Sequence, residues 1–149
     1  MTTQLVDPSL RADRWSRLAL PLLSGAAVLA AVAVLHVRDP HASGSYGICP
    51  WLAVTGTYCP ACGGLRAVHD LSHGDVGAAL SSNLLVVAIV LPALVVGWLA
   101  WTRSRWPGRP LGTWVARPFP GRQTAWAAAA VVLAFWVVRN LPFGSWLAP

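Results

Sequence analysis

The 149-residue chain contains no lysine and no glutamate: its eleven basic residues are all arginine and its five acidic residues all aspartate. Charged residues make up only 11% of it, against about 25% in a typical soluble domain. That scarcity argues against a monomer dissolved in water. The missing glutamate removes the H-E-x-x-H pattern of zinc hydrolases, which needs that residue as general base. No internal repeat and no heptad pattern is present, so solenoids and coiled coils are set aside. Disorder is excluded as well, because disordered chains are poor in apolar residues and 56% of this one is hydrophobic. The formal net charge of +6 raises nucleic acid as a partner, but such domains set their cations on a polar surface that this chain lacks.

What is present is apolar sequence in long runs. Residues 18–37 carry no charge over about 20 residues, enough helix to cross roughly 30 Å of hydrocarbon. Residues 84–101 form a second run, broken only by Pro92 and Gly97, both tolerated in lipid-embedded helices. A third covers 125–141, where Arg139 can snorkel to the interface. The expected class is therefore all-α: a single membrane domain, 18–142, with three transmembrane helices. The first run is read as a retained span, since it exceeds the ~7–15-residue core of a signal peptide.

Arginine placement orients the spans. The tail 1–17 and the connection 102–123 hold eight of the eleven arginines, and cationic loops stay cytoplasmic. The N-terminus and the basic Pro/Gly-rich loop 102–123 are then inside. Loop 38–83 and the tail 143–149 are outside, in a multi-pass protein of the cytoplasmic (inner) membrane. The expected partners are the lipid bilayer and another membrane protein, with no nucleic acid.

Loop 38–83 holds all three cysteines, three of the four histidines and three of the five aspartates. A structureless loop of this length is unusual, so it is expected to fold as a short interfacial or re-entrant helix pair. Cys59 is read as a helix cap with Pro60 in the first helical position, placing Cys62 one turn along. From Leu65 the pattern is amphipathic, with Arg66, His69, Asp70 and His73 on one face. Gly74 is the expected stop, and Asp75 caps a second short helix, 76–80. Ser81, Ser82 and Asn83 offer caps for the next span.

Four chemistries compete for Cys49, Cys59 and Cys62. An extracytoplasmic compartment favours a structural disulfide. A C-x-x-C at a helix start suits redox exchange, with Cys59 as nucleophile, Cys62 as resolving thiol and Arg66 favouring the thiolate, although no thioredoxin-like βαβ pattern surrounds it. Three cysteines with His69, or else His41 or His73, would suit zinc, but a second closely spaced ligand pair is missing. Plain packing is the fourth, because cysteine behaves as a small hydrophobe. Arg139 near membrane depth needs a partner, for which Asp70 and Asp75 are candidates.

The series Cys49-Pro50, Cys59-Pro60-Ala61-Cys62-Gly63-Gly64-Leu65-Arg66-Ala67, Gly74-Asp75, Asn83-Leu84 and Arg139-Asn140-Leu141-Pro142 resembles the bacterial membrane-protein family named domain of unknown function 2752. Members are small, have about three hydrophobic segments, and carry C-P-x-C-G-[LF]-T-R-A, G-D and N-P signatures. Gly64-Leu65 stands where Leu-Thr is common, so any role of that threonine is absent here, and Leu84 stands where proline often follows asparagine. The resemblance spans roughly residues 46–142. It marks Cys49, Cys59, Cys62, Gly63, Arg66, Asp75, Asn83, Arg139 and Asn140 as motif residues and implies an extramembrane cysteine motif on a membrane protein. It implies no activity, as the family has none established. The leading expectation is an interaction or assembly component with a cysteine-stapled loop and no cofactor. The alternatives are a thiol–disulfide oxidoreductase and a metal-binding protein, zinc being the metal.

Overall fold

The computed structural model describes residues 8–42, 44–47, 49–105 and 121–148. Every regular element among them is helical: α1 Pro8–Val37, α2 Pro50–Thr55, α3 Gly64–Ser72, α4 Val76–Leu85, a π-helical turn Val86–Val90, α5 Leu91–Arg105, α6 Arg122–Arg139 and a 3₁₀ turn Pro142–Leu147. No strand occurs among the described residues.

Among the described residues, two helices are long and apolar enough to cross a membrane: the 20-residue stretch Leu18–Val37 and the 30-residue helix Val76–Arg105. Side chains such as Leu29, Leu94 and Val95 stand exposed on them, as surfaces made for lipid would. The 18-residue α6 is bounded by Arg122 and Arg139 and is about 27 Å long at 1.5 Å per residue. It stops two residues short of the expected end of the third run, because Asn140 leaves the helix and turns the chain.

The second long helix kinks where the sequence reading sets a cap. The short helix from Val76 runs on past residue 80 and meets the span from 84 at Asn83, whose backbone is extended (φ −162°, ψ 95°). The π-helical turn comes just before Pro92. Proline cannot donate to the carbonyl four residues back and its ring crowds it, so the helix widens rather than breaks.

α1 and α5 are tied by an indole. Trp98 Nε1 donates to the Pro21 carbonyl and to Ser24 Oγ, each at 3.2 Å. Most of the other buried residues lie at the opposite end of the rods: Cys62, Ala67, Asp70, Ala79, Ser82, Asn83, Leu85, Arg139 and Leu147. The core is thus a knot of loop and helix ends, with apolar rods projecting from it. Gly144 belongs to this knot. A Cβ there would collide with the Val138 carbonyl oxygen, so only glycine lets the C-terminal turn fold back on α6.

The expected helix pair in loop 38–83 is α3 and α4, packed on each other. Its polar face turns inward: Asp70 is buried while Leu65 is 49% exposed. α2 was not foreseen. Residues 106–120, the centre of the expected basic loop, lie outside the described residues. Its flanks are helical, 102–105 within α5 and 122–123 within α6.

Candidate functional site: a clamped three-thiol loop

Proline fixes φ in the helical range at a position where no hydrogen-bond donor is needed, and so opens a helix. The structure applies this to Cys49-Pro50 rather than to Cys59-Pro60. Cys49 is the N-cap of α2 and Pro50 its first residue. Cys59–Gly63 instead forms a turn closed by Cys62 N–H on the Cys59 carbonyl at 3.1 Å and Gly64 N–H on that of Ala61 at 2.9 Å. Gly63 then caps α3 at φ +82°, a left-handed conformation that glycine adopts without steric cost. This demand, unseen in the sequence, keeps Cys59 from capping a helix.

The turn folds its sulfurs together. Cys59 Sγ lies 2.6 Å from Cys62 Sγ and 3.7 Å from Cys49 Sγ, and all three fall within 4.8 Å of one another. The Cys59 N–H also points at Cys62 Sγ, at 3.1 Å. Burial pushes the Cys62 thiol up to about 12, since an apolar setting disfavours the thiolate. Cys49 moves the other way: the Leu52 N–H in the first turn of α2, and next the Cys62 thiol, hold it below the ordinary thiol value.

Behind the sulfurs, the carbonyls of the turn converge on two side chains. Arg139 is 1% exposed. Its Nη1 donates to the carbonyls of Cys59 at 3.0 Å and Pro60 at 3.4 Å, and its Nη2 to that of Cys62 at 3.2 Å. The guanidinium also lies over the rings of Phe135 and Tyr58, at 5.0 and 5.8 Å. Asn83 is fully buried. Its Nδ2 donates to the carbonyls of Pro60 and Cys62, both at 2.9 Å, and its Oδ1 accepts the Val86 N–H at 3.0 Å. Asn83 therefore caps the second rod and grips the turn at once. Asn140 completes the clamp, accepting from Tyr58 N–H at 2.8 Å and donating to the Tyr58 carbonyl at 2.9 Å.

Several expected partnerships are not formed. Arg139 meets neither Asp70 nor Asp75. Asp70 accepts from Ser82 Oγ and pairs with His41 Nε2, both at 2.8 Å, and Asp75 caps α4 through the Ala78 N–H at 2.8 Å. Arg66 Nε donates to the Pro40 carbonyl at 3.4 Å. His69 is outside the thiol group. Its Nδ1 donates to the Leu35 carbonyl at 2.7 Å, and its Nε2 lies 3.7 Å from Asp39. Sequence reasoning missed the arrangement of all four histidines side by side. His36 stacks on His73 with centroids 4.0 Å apart, His73 lies 4.3 Å from His69, and His69 lies 5.8 Å from His41. It also missed Tyr58 and Trp51. The Pro50 signal for a helix start was the one available pointer to α2.

The three thiols are close enough to hold a metal ion such as zinc. Each supplies one soft ligand, and among the described residues no imidazole or carboxylate joins them.

These features define an all-helical protein with membrane-compatible apolar rods and a three-thiol turn held by buried arginine and asparagine. Residues 49–98 match the family model described as protein of unknown function DUF2752, so over that stretch the resemblance drawn from the cysteine motif is confirmed. The match is narrower than the 46–142 read from the motifs, and it ends before Arg139 and Asn140. Comparisons with curated proteins and with solved structures return no match.

Proposed function

We propose that the chain is a three-span protein of the cytoplasmic membrane, with its N-terminus inside, whose Cys49–Cys59–Cys62 centre carries out thiol–disulfide exchange on the outer side. The arginine distribution supports this orientation, and the apolar content of α6 supports the third span.

One observation carries the chemistry: Cys59 Sγ is within reach of two other thiols, at 2.6 and 3.7 Å. A structural staple needs one partner. A sulfur with two partners lets a disulfide move. The Cys49 thiolate attacks Cys59, the Cys49–Cys59 bond forms as the Cys59–Cys62 bond breaks, and Cys62 leaves and takes up a proton. In net turnover a substrate dithiol becomes a disulfide, while the Cys59–Cys62 disulfide gains two electrons and two protons. This reading is preferred over the assembly component, which has no use for the third thiol. It also replaces the roles drawn from sequence. Cys49 becomes the attacking thiol, and Arg139, rather than Arg66, is the cation beside the turn.

Alkylation mass shifts on whole cells test it. A disulfide is expected between Cys59 and Cys62, and the Cys62→Ser variant is expected to trap Cys49 bonded to Cys59. Free thiols only in cells growing aerobically, three in the parent and two in this variant, overturn the reading. A second reading, zinc on the three thiolates with an open fourth position, rests on their mutual approach. One zinc per purified chain would establish it in place of exchange. Single-cysteine reporters at residues 44 and 121, introduced in a cysteine-free background, test the topology. A membrane-impermeant maleimide is expected to label the first on intact cells and the second only after permeabilisation.

A further inference from the structure

Beside the thiols lies an apolar groove of about 560 Å³ between α2 and α6, lined by Trp51, Cys59, Pro60, Val132, Leu133 and Trp136. It falls within the ~300–1,000 Å³ range of small-molecule sites. Trp51 and Trp136 face each other edge to face across 6.1 Å, and no charged side chain lines the walls. One feature separates it from a plain gap for lipid tails. Cys59, the sulfur shared by both thiol pairs, forms part of the wall.

We infer that this groove takes a membrane quinone, which reoxidises the Cys59–Cys62 pair. The inference rests on the exchange chemistry above, because a dithiol left after each turnover needs a two-electron acceptor. A fatty acid fits poorly, since nothing cationic meets its carboxylate. A quinone is flat, apolar and neutral, and its ring fits against the indoles of Trp51 and Trp136. The Pro60 and α6 walls bring such a ring alongside Cys59 from the side that a third span turns to lipid. The step balances: two S–H bonds break, the Cys59–Cys62 bond forms, and two electrons and two protons convert the quinone to its quinol.

The test uses the full chain, reduced and free of oxygen, in nanodiscs of quinone-free lipid. The probe is decylubiquinone, whose fully substituted ring blocks simple thiol addition. One quinone is expected to be reduced for each two thiols lost. Val132→Trp, which fills the groove, should slow this at least about tenfold, while diamide, which needs no groove, closes the disulfide at the parental rate. Quinone that leaves the thiols intact while diamide closes them overturns the inference, as does an unchanged rate in Val132→Trp. If diamide closes no bond among the three cysteines, the exchange reading fails instead.

Discussion

Arg139 and Asn83, 56 residues apart in the chain, donate to the same acceptor: the Cys62 carbonyl receives Arg139 Nη2 at 3.2 Å and Asn83 Nδ2 at 2.9 Å. One donor comes from the end of α6 and the other from the break in the second rod. The turn between them is therefore held by the two helices at once. Its three carbonyls play the part that a carboxylate plays in an ion pair, and they supply hydrogen bonds that neutralise part of the cost of burying a guanidinium.

Arg139→Leu removes three charge-assisted hydrogen bonds to carbonyls that each keep one other donor, Cys62 N–H or Asn83 Nδ2, and a net hydrogen bond contributes about 1 kcal/mol. A loss of about 3 kcal/mol is expected in thermal unfolding in detergent, with Cys62 becoming open to alkylation. Arg139→Lys should recover only part, because a point ammonium cannot fork across three acceptors. Parental protection of Cys62 in Arg139→Leu would show that the clamp does not hold the turn.

Asn83 distinguishes capping from gripping. Aspartate is normally as good a cap as asparagine, and both exceed alanine. Here Asn83→Asp keeps an acceptor for Val86 N–H but aims a carboxylate at two carbonyls. It should cost at least as much as Asn83→Ala, about 2 kcal/mol or more, in the same unfolding measurement. The usual cap ranking at this position would count against the grip.

The reduced thiols should alkylate in a fixed order. Cys49, held below the ordinary thiol value, carries thiolate at lower pH than a free cysteine and should react first near neutrality. Cys62, pushed up to about 12, stays protonated and should remain unmodified through pH 9. A lowered thiol pKa moves the onset of reaction to lower pH and a raised one to higher pH. Peptide mass analysis after timed iodoacetamide treatment reads the order, and Cys62 reacting before Cys49 would reverse it.

The last carbonyls of a helix have no partner within it, and His69 meets one of them at Leu35, near the end of α1. His69→Ala should cost about 1 kcal/mol and speed hydrogen exchange in the final turn of α1. The α5–α1 tie through Trp98 should be unaffected. Unchanged exchange at residues 35–39 would show that the imidazole does not hold the two helices together.

The rods were legible because a run of apolar residues is a local signal, and a helix satisfies its own backbone hydrogen bonds whatever surrounds it. Gly74 after α3 and the Asp75 cap on α4 are local for the same reason. Asn83 as a cap for the following span was legible, but its grip on the cysteine turn was not. Its extended backbone is favoured by the hydrogen bonds to Pro60 and Cys62, which are 23 and 21 residues away. The cap expected at Cys59 went astray because Gly63 takes a left-handed φ, and the dipeptide Cys-Pro reads alike at 49 and 59 although only the first opens a helix.

The sequence by itself determined that the chain is all-helical among its described residues, that two rods suit a membrane, and that the chemistry gathers in the loop between them. Composition and hydrophobic run length fix those properties before any two distant residues meet. Tertiary structure alone decided which partners the reactive groups received. It set three sulfurs at one point, gave Arg139 carbonyls in place of Asp70 or Asp75, and sent His69 to α1 rather than to the thiols. A buried donor settles on whichever acceptors folding leaves exposed to it, and here those were the backbone carbonyls of a turn.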